Sequence, residues 1–172
     1  MSVVVSVGRA AGHAFSKPTC DDIRLLAGIG VEGDAHAGAT VKHRSRVAAN
    51  PLEPNVRQVH LIQEELLREL DLEPGTLGEN VTTSGIDLLA LSAGARLHLG
   101  DEAVVQLTGL RTPCVQINRY RKGLMKAVSL KVDEGAVLRG GAMAIVLSTG
   151  TVRPGDPVRV VSPEVFIPMQ RV

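Results

Sequence analysis

Short runs of β-branched and aliphatic residues, each cut off by glycine or proline, recur along the whole chain and favour brief strands over long helices. Val3-Val4-Val5-Ser6-Val7 stops at Gly8, and Gln58-Val59-His60-Leu61-Ile62 and Asn80-Val81-Thr82-Thr83 follow the same plan. Arg96–Leu99 and Ala103–Thr108 alternate on either side of Gly100-Asp101-Glu102, which predicts a hairpin. Ala142–Leu147 and Pro157–Val161 supply closing strands. One helix is expected, from Gln63 to Leu70, where Ile62, Leu66 and Leu70 recur at helical spacing and Glu64 can pair with Arg68. Gly123–Val128 reads as a helical turn. Many strands with one helix predict a mainly β, barrel-like fold with few helices.

With 172 residues the chain suits one domain, here residues 1–161, followed by a loose C-terminal extension over 162–172. The glycine-rich run Gly28–His36 is too interrupted for a helix, and the prolines of Asn50–Asn55 predict an irregular loop. Apolar residues make up 44% of the chain but aromatics only 2%, so the core must be built from Val, Leu, Ile and Ala. The three aromatics are Phe15, Tyr120 and Phe166. So few stacking platforms, with a net charge of +1, argue against nucleic acid as a partner. No apolar run is long enough to span a membrane, and the N-terminus lacks the pattern of a secretion signal, so the expected compartment is the cytoplasm.

The segment Thr108-Gly109-Leu110-Arg111-Thr112-Pro113-Cys114 concentrates the chemistry. A strand ends, glycine frees the backbone, proline restrains it, and a thiol is presented beside a guanidinium that favours the reactive thiolate. A buried structural cysteine is the plain alternative. The other cysteine, Cys20, stands beside Asp21 and Asp22, whose charges disfavour a thiolate, and it is read as non-catalytic. Neither cysteine belongs to a Cys-x-x-Cys pair, and both are read as free thiols.

Together, Val31-Glu32-Gly33-Asp34-Ala35-His36, Leu77-Gly78-Glu79-Asn80-Val81-Thr82-Thr83 and the segment ending at Cys114 resemble the successive signatures of MOSC domains, named for the C-terminal domain of molybdenum cofactor sulfurase. The resemblance runs from about Val3 to Val161. It implies a β-barrel-like fold, one functional cysteine matching Cys114, and handling of sulfur or of the molybdenum–pterin cofactor (molybdopterin). In relatives that carry the cofactor the matching cysteine ligates molybdenum, and the metal reduces N-hydroxylated compounds. By that resemblance Cys114 is both the catalytic residue and the metal ligand.

Donors for the pterin phosphate are then sought in backbone amides near Gly33 or Gly78 and in the side chains of Arg111, Thr82, Thr83 and Arg119. Asn80 could read the pterin edge with its amide or simply cap a turn. Glu79 could serve the site or be a salt-bridged surface group, and Asp34 and His36 could support the site or form an ordinary turn. The clusters Lys42–Arg46 and Arg119–Lys122 read as solvated faces, the second favoured for function because it lies near Cys114. His36 and His43 make no zinc pattern. Pyridoxal phosphate binding is known at family level, but Lys42 and Lys126 are the nearest candidates for attachment and neither sits in a recognisable setting. Three functions therefore compete: a molybdenum-cofactor oxidoreductase fed by an external electron donor, a sulfur carrier taking a persulfide on Cys114 from a cysteine desulfurase, and a non-catalytic module for a small ligand.

Overall fold

The fold is given by a computed structural model that describes residues 1–42, 44–114, 116–132 and 135–172. Strand β1 (Val3–Gly8) opens the chain, followed by the short β2 (Thr19–Cys20), β3 (Ile23–Leu26) and β4 (Gly30–Val31). After helix α1 (Arg44–Ala49) come β5 (Val59–Gln63), helix α2 (Glu64–Glu69) and β6 (Val81–Ser84). The expected hairpin is β7 (Arg96–Leu99) with β8 (Ala103–Leu110). Helices α3 (Gln116–Tyr120) and α4 (Leu124–Val128) precede β9 (Ser129–Val132) and β10 (Gly135–Leu138), and β11 (Ala142–Ser148), β12 (Gly150–Val152) and β13 (Val158–Val161) complete the order.

Eight strands form one sheet in the order β13-β7-β8-β11-β5-β6-β1-β2, antiparallel except where β5 lies parallel to β6. That exception explains the helix: a parallel neighbour needs a crossover, and α2 is part of it. The sheet curls until its two sides meet, with Val4 N–H donating to Asp156 C=O at 2.8 Å and Val158 N–H to Ser2 C=O at 2.9 Å. The ladder does not run continuously around the circle, so the fold is barrel-like rather than a closed barrel. Strand β8 shows the strict in-out alternation that its sequence predicts, burying Ala103, Val105 and Leu107. Apart from Met169, the buried residues of the main core are Val, Leu, Ile and Ala.

Strand β5 is buried on both faces. Val59 and Leu61 join the main core, whereas Ile62 joins a second cluster with Leu66 and Leu67 of α2, Ile117 of α3, and Leu124 and Val128 of α4. The helix predicted from Gln63 to Leu70 is therefore present, and it packs with two further helices over one side of the barrel. The β9–β10 hairpin had no forecast in the sequence and stands outside the main sheet.

The C-terminal tail is not loose. Met169 is 8% exposed within the main core, Ile167 C=O accepts from Ala93 N–H at 2.8 Å, and Gln170 C=O accepts from Leu110 N–H at 2.8 Å. Val172 C=O accepts from the Thr112 hydroxyl at 3.0 Å. The reason lies in the end of β8: beyond its ladder, the groups of Leu110 to Thr112 need partners, and the tail provides them.

Candidate functional site

Beyond β8 the chain carries Arg111, Thr112, Pro113 and Cys114 to the rim of the barrel. Arg111 N–H donates to Gly141 C=O at 2.9 Å, and Cys114 C=O accepts from Ile117 N–H at 3.0 Å, so the segment is held at both ends. Cys114 is partly exposed and borders a cavity of about 130 Å³ that is open to solvent. Of the residues expected at a site, Arg111, Asn80, His36 and Cys114 meet at this cavity.

The wall is cationic. Lys17, Lys42, Arg46, Arg57 and Arg111 line it, and among the described residues no Asp or Glu does. Arg46 is paired with Glu53 at 3.0 Å and Lys17 with Asp34 at 2.8 Å. Burial, then the charges of Arg111 and Arg46, pull the Arg57 guanidinium down to about 10, while the Cys114 thiol acts the other way. Burial lowers Arg111 as well, against the pull of Glu79 and Cys114. Arg111 Nη1 is buried without a hydrogen-bond partner among the described residues. Such a donor is costly to bury unless something accepts from it.

Asp34 organises this wall from behind. Its Oδ2 accepts from Lys17 Nζ at 2.8 Å, Asn80 Nδ2 at 3.1 Å and Ala10 N–H at 3.2 Å, while Oδ1 accepts from His36 N–H at 3.0 Å and lies 3.1 Å from His36 Nδ1. Burial pushes its carboxyl up, but the bonds from His36 and the charge and bond of Lys17 outweigh burial and hold it well below the usual carboxylate range. Its partner responds differently: burial lowers the Lys17 ammonium despite Asp34. The carboxylate governs the pair, because its donors come from Lys17, Asn80, Ala10 and His36 together.

Asn80 faces the cavity, but its amide is committed inside the protein: Oδ1 accepts from His60 N–H at 3.1 Å and Nδ2 donates to Gly8 C=O and Asp34 Oδ2, each at 3.1 Å. It shapes the wall and has no free amide edge with which to read a pterin. Glu79, Thr82 and Thr83 do not reach the cavity wall. They are 1%, 1% and 0% exposed, Thr82 and Thr83 on β6, which runs through the interior, and Glu79 just before it. Glu79 is accordingly not a surface group; Oε1 accepts from Gly75 N–H at 2.6 Å, Oε2 has no partner among the described residues, and burial raises its carboxyl. Thr82 and Thr83 are thus out of place as phosphate donors. The Gly78 amide is also occupied, donating to Gly75 C=O at 3.0 Å. Gly33 does not line the cavity, and Arg119 borders a neighbouring groove instead.

No local pattern in the sequence singles out Lys17, Asn55, Arg57 or His60, which all line the cavity. His60 leaves one trace, as a polar residue within the apolar run of β5. Its Nε2 bonds Gly140 C=O at 2.7 Å, and burial, then Arg111, keeps it far below its ordinary value and so neutral. Gly141 permits this contact: its φ is +96°, and a Cβ there would lie 2.7 Å from His60 Nε2 and 2.3 Å from Leu61 C=O. Of the cluster Lys42–Arg46, Lys42 and Arg46 face the cavity and His43 lies outside the described residues. Lys126 sits on α4, away from the cavity. Burial raises the Cys20 thiol; Arg9 opposes it, and Asp22 and Asp21 add smaller contributions in the same direction as burial.

A curled, mainly antiparallel sheet presenting one thiol among cations defines a class of small β domains with a single-cysteine site. The model of the MOSC domain matches residues 54–159, more than half of the chain, and the chain belongs to that family. Two of the three motifs, 77–83 and 108–114, lie inside the match. No curated protein matches the chain. Among solved structures, the YuaD protein of Bacillus subtilis superimposes with a TM-score of 0.76 at 24% identity, covering 95% of this chain and 98% of that one. YiiM of Geobacillus stearothermophilus gives 0.65 at 17% identity over 96% and 77%, and YiiM of Escherichia coli 0.60 at 20% over 98% and 73%. At these identities the likeness is one of fold. Among the described residues no helix is long and apolar enough to cross a membrane.

Proposed function

We propose that the cavity takes the molybdenum–pterin cofactor with Cys114 as the protein's ligand to the metal, and that the protein reduces N-hydroxylated compounds. The observation that carries this reading is Cys114, a partly exposed thiol at a cationic cavity in which Arg111 Nη1 is buried without a partner among the described residues. The residues fit such a group. Arg57 and Arg111 offset the charge of a thiolate and of an anionic ligand, and the orphaned Nη1 has a donor to give. Among the described residues no three His, Cys, Asp or Glu side chains converge to enclose a metal, so a centre that asks the protein for one soft ligand suits this site.

When bound, the cofactor supplies the two-electron chemistry that removes oxygen from nitrogen. The balance is R–NHOH + 2 e⁻ + 2 H⁺ → R–NH₂ + H₂O, with electrons from a separate reductase protein. Lys17, lining the wall and held by Asp34, is an ammonium placed beside the substrate space. Neutral His60, bonded to Gly140, adds shape without charge. The two free thiols agree with a reducing compartment such as the cytoplasm.

The test is expression in a host able to make the cofactor, followed by measurement of bound molybdenum and pterin. Stoichiometric metal that is lost in Cys114→Ser is the expected result. Absence of both metal and pterin overturns the reading. A persulfide mass added to Cys114 by a cysteine desulfurase, with no metal, would make the protein a sulfur carrier.

A further inference from the structure

Immediately behind the wall of the Cys114 cavity lies a carboxyl group that the proposed reduction leaves unused. Gly78 and Asn80 line the cavity, but Glu79 between them turns inward and is 1% exposed. Its Oε1 accepts from Gly75 N–H at 2.6 Å and, at 3.5 Å, from the Thr82 hydroxyl, whereas Oε2 is buried without a partner among the described residues. Arg111, which lines the cavity, keeps Nη1 in the same condition. The charge of Glu79 acts on Arg111 and on Lys17, yet among the described residues it closes an ion pair with neither.

Pairing Glu79 with Arg111 would satisfy both orphaned atoms. Because the two stay apart, the guanidinium keeps a donor for a ligand, and across a buried, poorly screened gap the carboxyl behind it feels the charge of whatever binds. We propose that the cavity binds an anionic group together with a proton, the group resting on Arg111 and the proton entering on Glu79. This rests on the proposed function only in taking the cavity as the seat of an anion. In the empty site Arg111 and Lys17 favour the carboxylate, and burial favours the neutral acid. A dianion draws on the same two cations, so the carboxylate loses its compensation and takes a proton from water. Burial already raises Glu79, and the bound charge moves it further the same way. By linkage, the cavity holds its anion more tightly as pH falls and releases it as pH rises.

Sulfate is the probe, because it stays a dianion wherever carboxyl groups and histidines titrate. Calorimetry in buffers of different ionisation heat reads the protons taken up for each sulfate bound. The charges acting on Glu79 are Arg111, at the end of β8, and Lys17, ahead of β2, which Asp34 pairs from behind. His36, His60, Lys42, Arg46, Arg57 and Cys114 also line the cavity, so the decisive quantity is the difference between the unaltered protein and Glu79→Gln at each pH. The unaltered protein should take up a proton with sulfate, and Glu79→Gln, which keeps an oxygen for Gly75 N–H, should lose most of that uptake. Above the ordinary carboxylate range of about 4, sulfate affinity should fall with rising pH more steeply in the unaltered protein, by up to about tenfold per pH unit, the limit for one linked proton. Arg111→Gln should weaken sulfate by at least roughly tenfold. Carbon NMR of the Glu79 carboxyl in the unaltered protein gives the answer without a variant: saturating sulfate should raise its titration midpoint, by about one pH unit for a tenfold coupling.

A midpoint that sulfate leaves in place or lowers overturns the proposal. So does undiminished proton uptake in Glu79→Gln, or a failure of sulfate to bind. All of this is read without the cofactor. Sulfate bound with no proton on Glu79 therefore sinks the coupling and leaves the cofactor reading standing, whereas coupled binding in a protein that never acquires molybdenum does the reverse.

Discussion

Asn80 offers the sharpest test of the site's construction, because its one side chain ties β1, β5 and the Asp34 loop together. Replacement by alanine removes three bonds of 3.1 Å: from His60 N–H, and to Gly8 C=O and Asp34 Oδ2. Asp34 keeps Lys17, His36 and Ala10, so its loss is small. His60 N–H is left buried without its acceptor, and Gly8 C=O loses a donor. At about 1–3 kcal/mol for a stranded buried group, the total comes to about 3 kcal/mol. That is a large share of the roughly 5–15 kcal/mol that stabilises a domain. Asn80→Ala should therefore lower Tm by roughly 6–12 °C in a chain of this size, read by calorimetry.

Asn80→Asp separates hydrogen bonding from volume. The substitution preserves shape and the acceptor for His60, but it turns a second oxygen toward Gly8 C=O and Asp34 Oδ2. At neutral pH it should be no more stable than Asn80→Ala. The deficit relative to the unaltered protein should shrink as pH falls, when the introduced acid is protonated and can donate again. Both proteins must be compared at each pH, because Asp34 also has an effect. Its carboxyl is depressed on folding, so the stability it confers is present above the unfolded value and is lost as pH falls. A loss below about 1 kcal/mol in Asn80→Ala, or an Asn80→Asp protein as stable as the original at neutral pH, would refute the reasoning.

Met169→Ala should cost about 2–5 kcal/mol by guanidinium unfolding, since the side chain is 8% exposed in the main core, whereas a loose tail would make the change neutral. Glu79→Gln tests the buried carboxyl beneath the site. Because burial raises Glu79 on folding, its favourable contribution is present below the unfolded value and lost as pH rises through the folded value. The neutral variant should gain on the original as pH rises above the ordinary carboxylate range of about 4 in urea unfolding, and a gap moving in the opposite direction would contradict the raised carboxyl.

Local pattern revealed the strands and the family motifs. The alternation of β8, the glycine turn before it and the thiol after Pro113 are properties of neighbouring residues, so the hairpin, the crossover helix and Cys114 were legible in the chain. Asp34, His36, Asn80 and Arg111 could be named as candidates, but their division of labour could not. Whether Asn80 turns its amide to a ligand or to Gly8, and whether Thr82 looks outward or into the core, depends on partners distant in sequence.

The same limit hid Lys17, Arg57 and His60, and it hid the meeting of Phe15 with Tyr120. The tail shows the limit most plainly. Pro163 to Val172 carry few local cues for order, and the segment is fixed only because the open end of β8 needs hydrogen-bond partners and the core has room for Met169. Periodicity and turn chemistry act between neighbours and are written in the chain; cavity walls, buried charge pairs and shared hydrogen bonds arise when segments remote in sequence exclude water together.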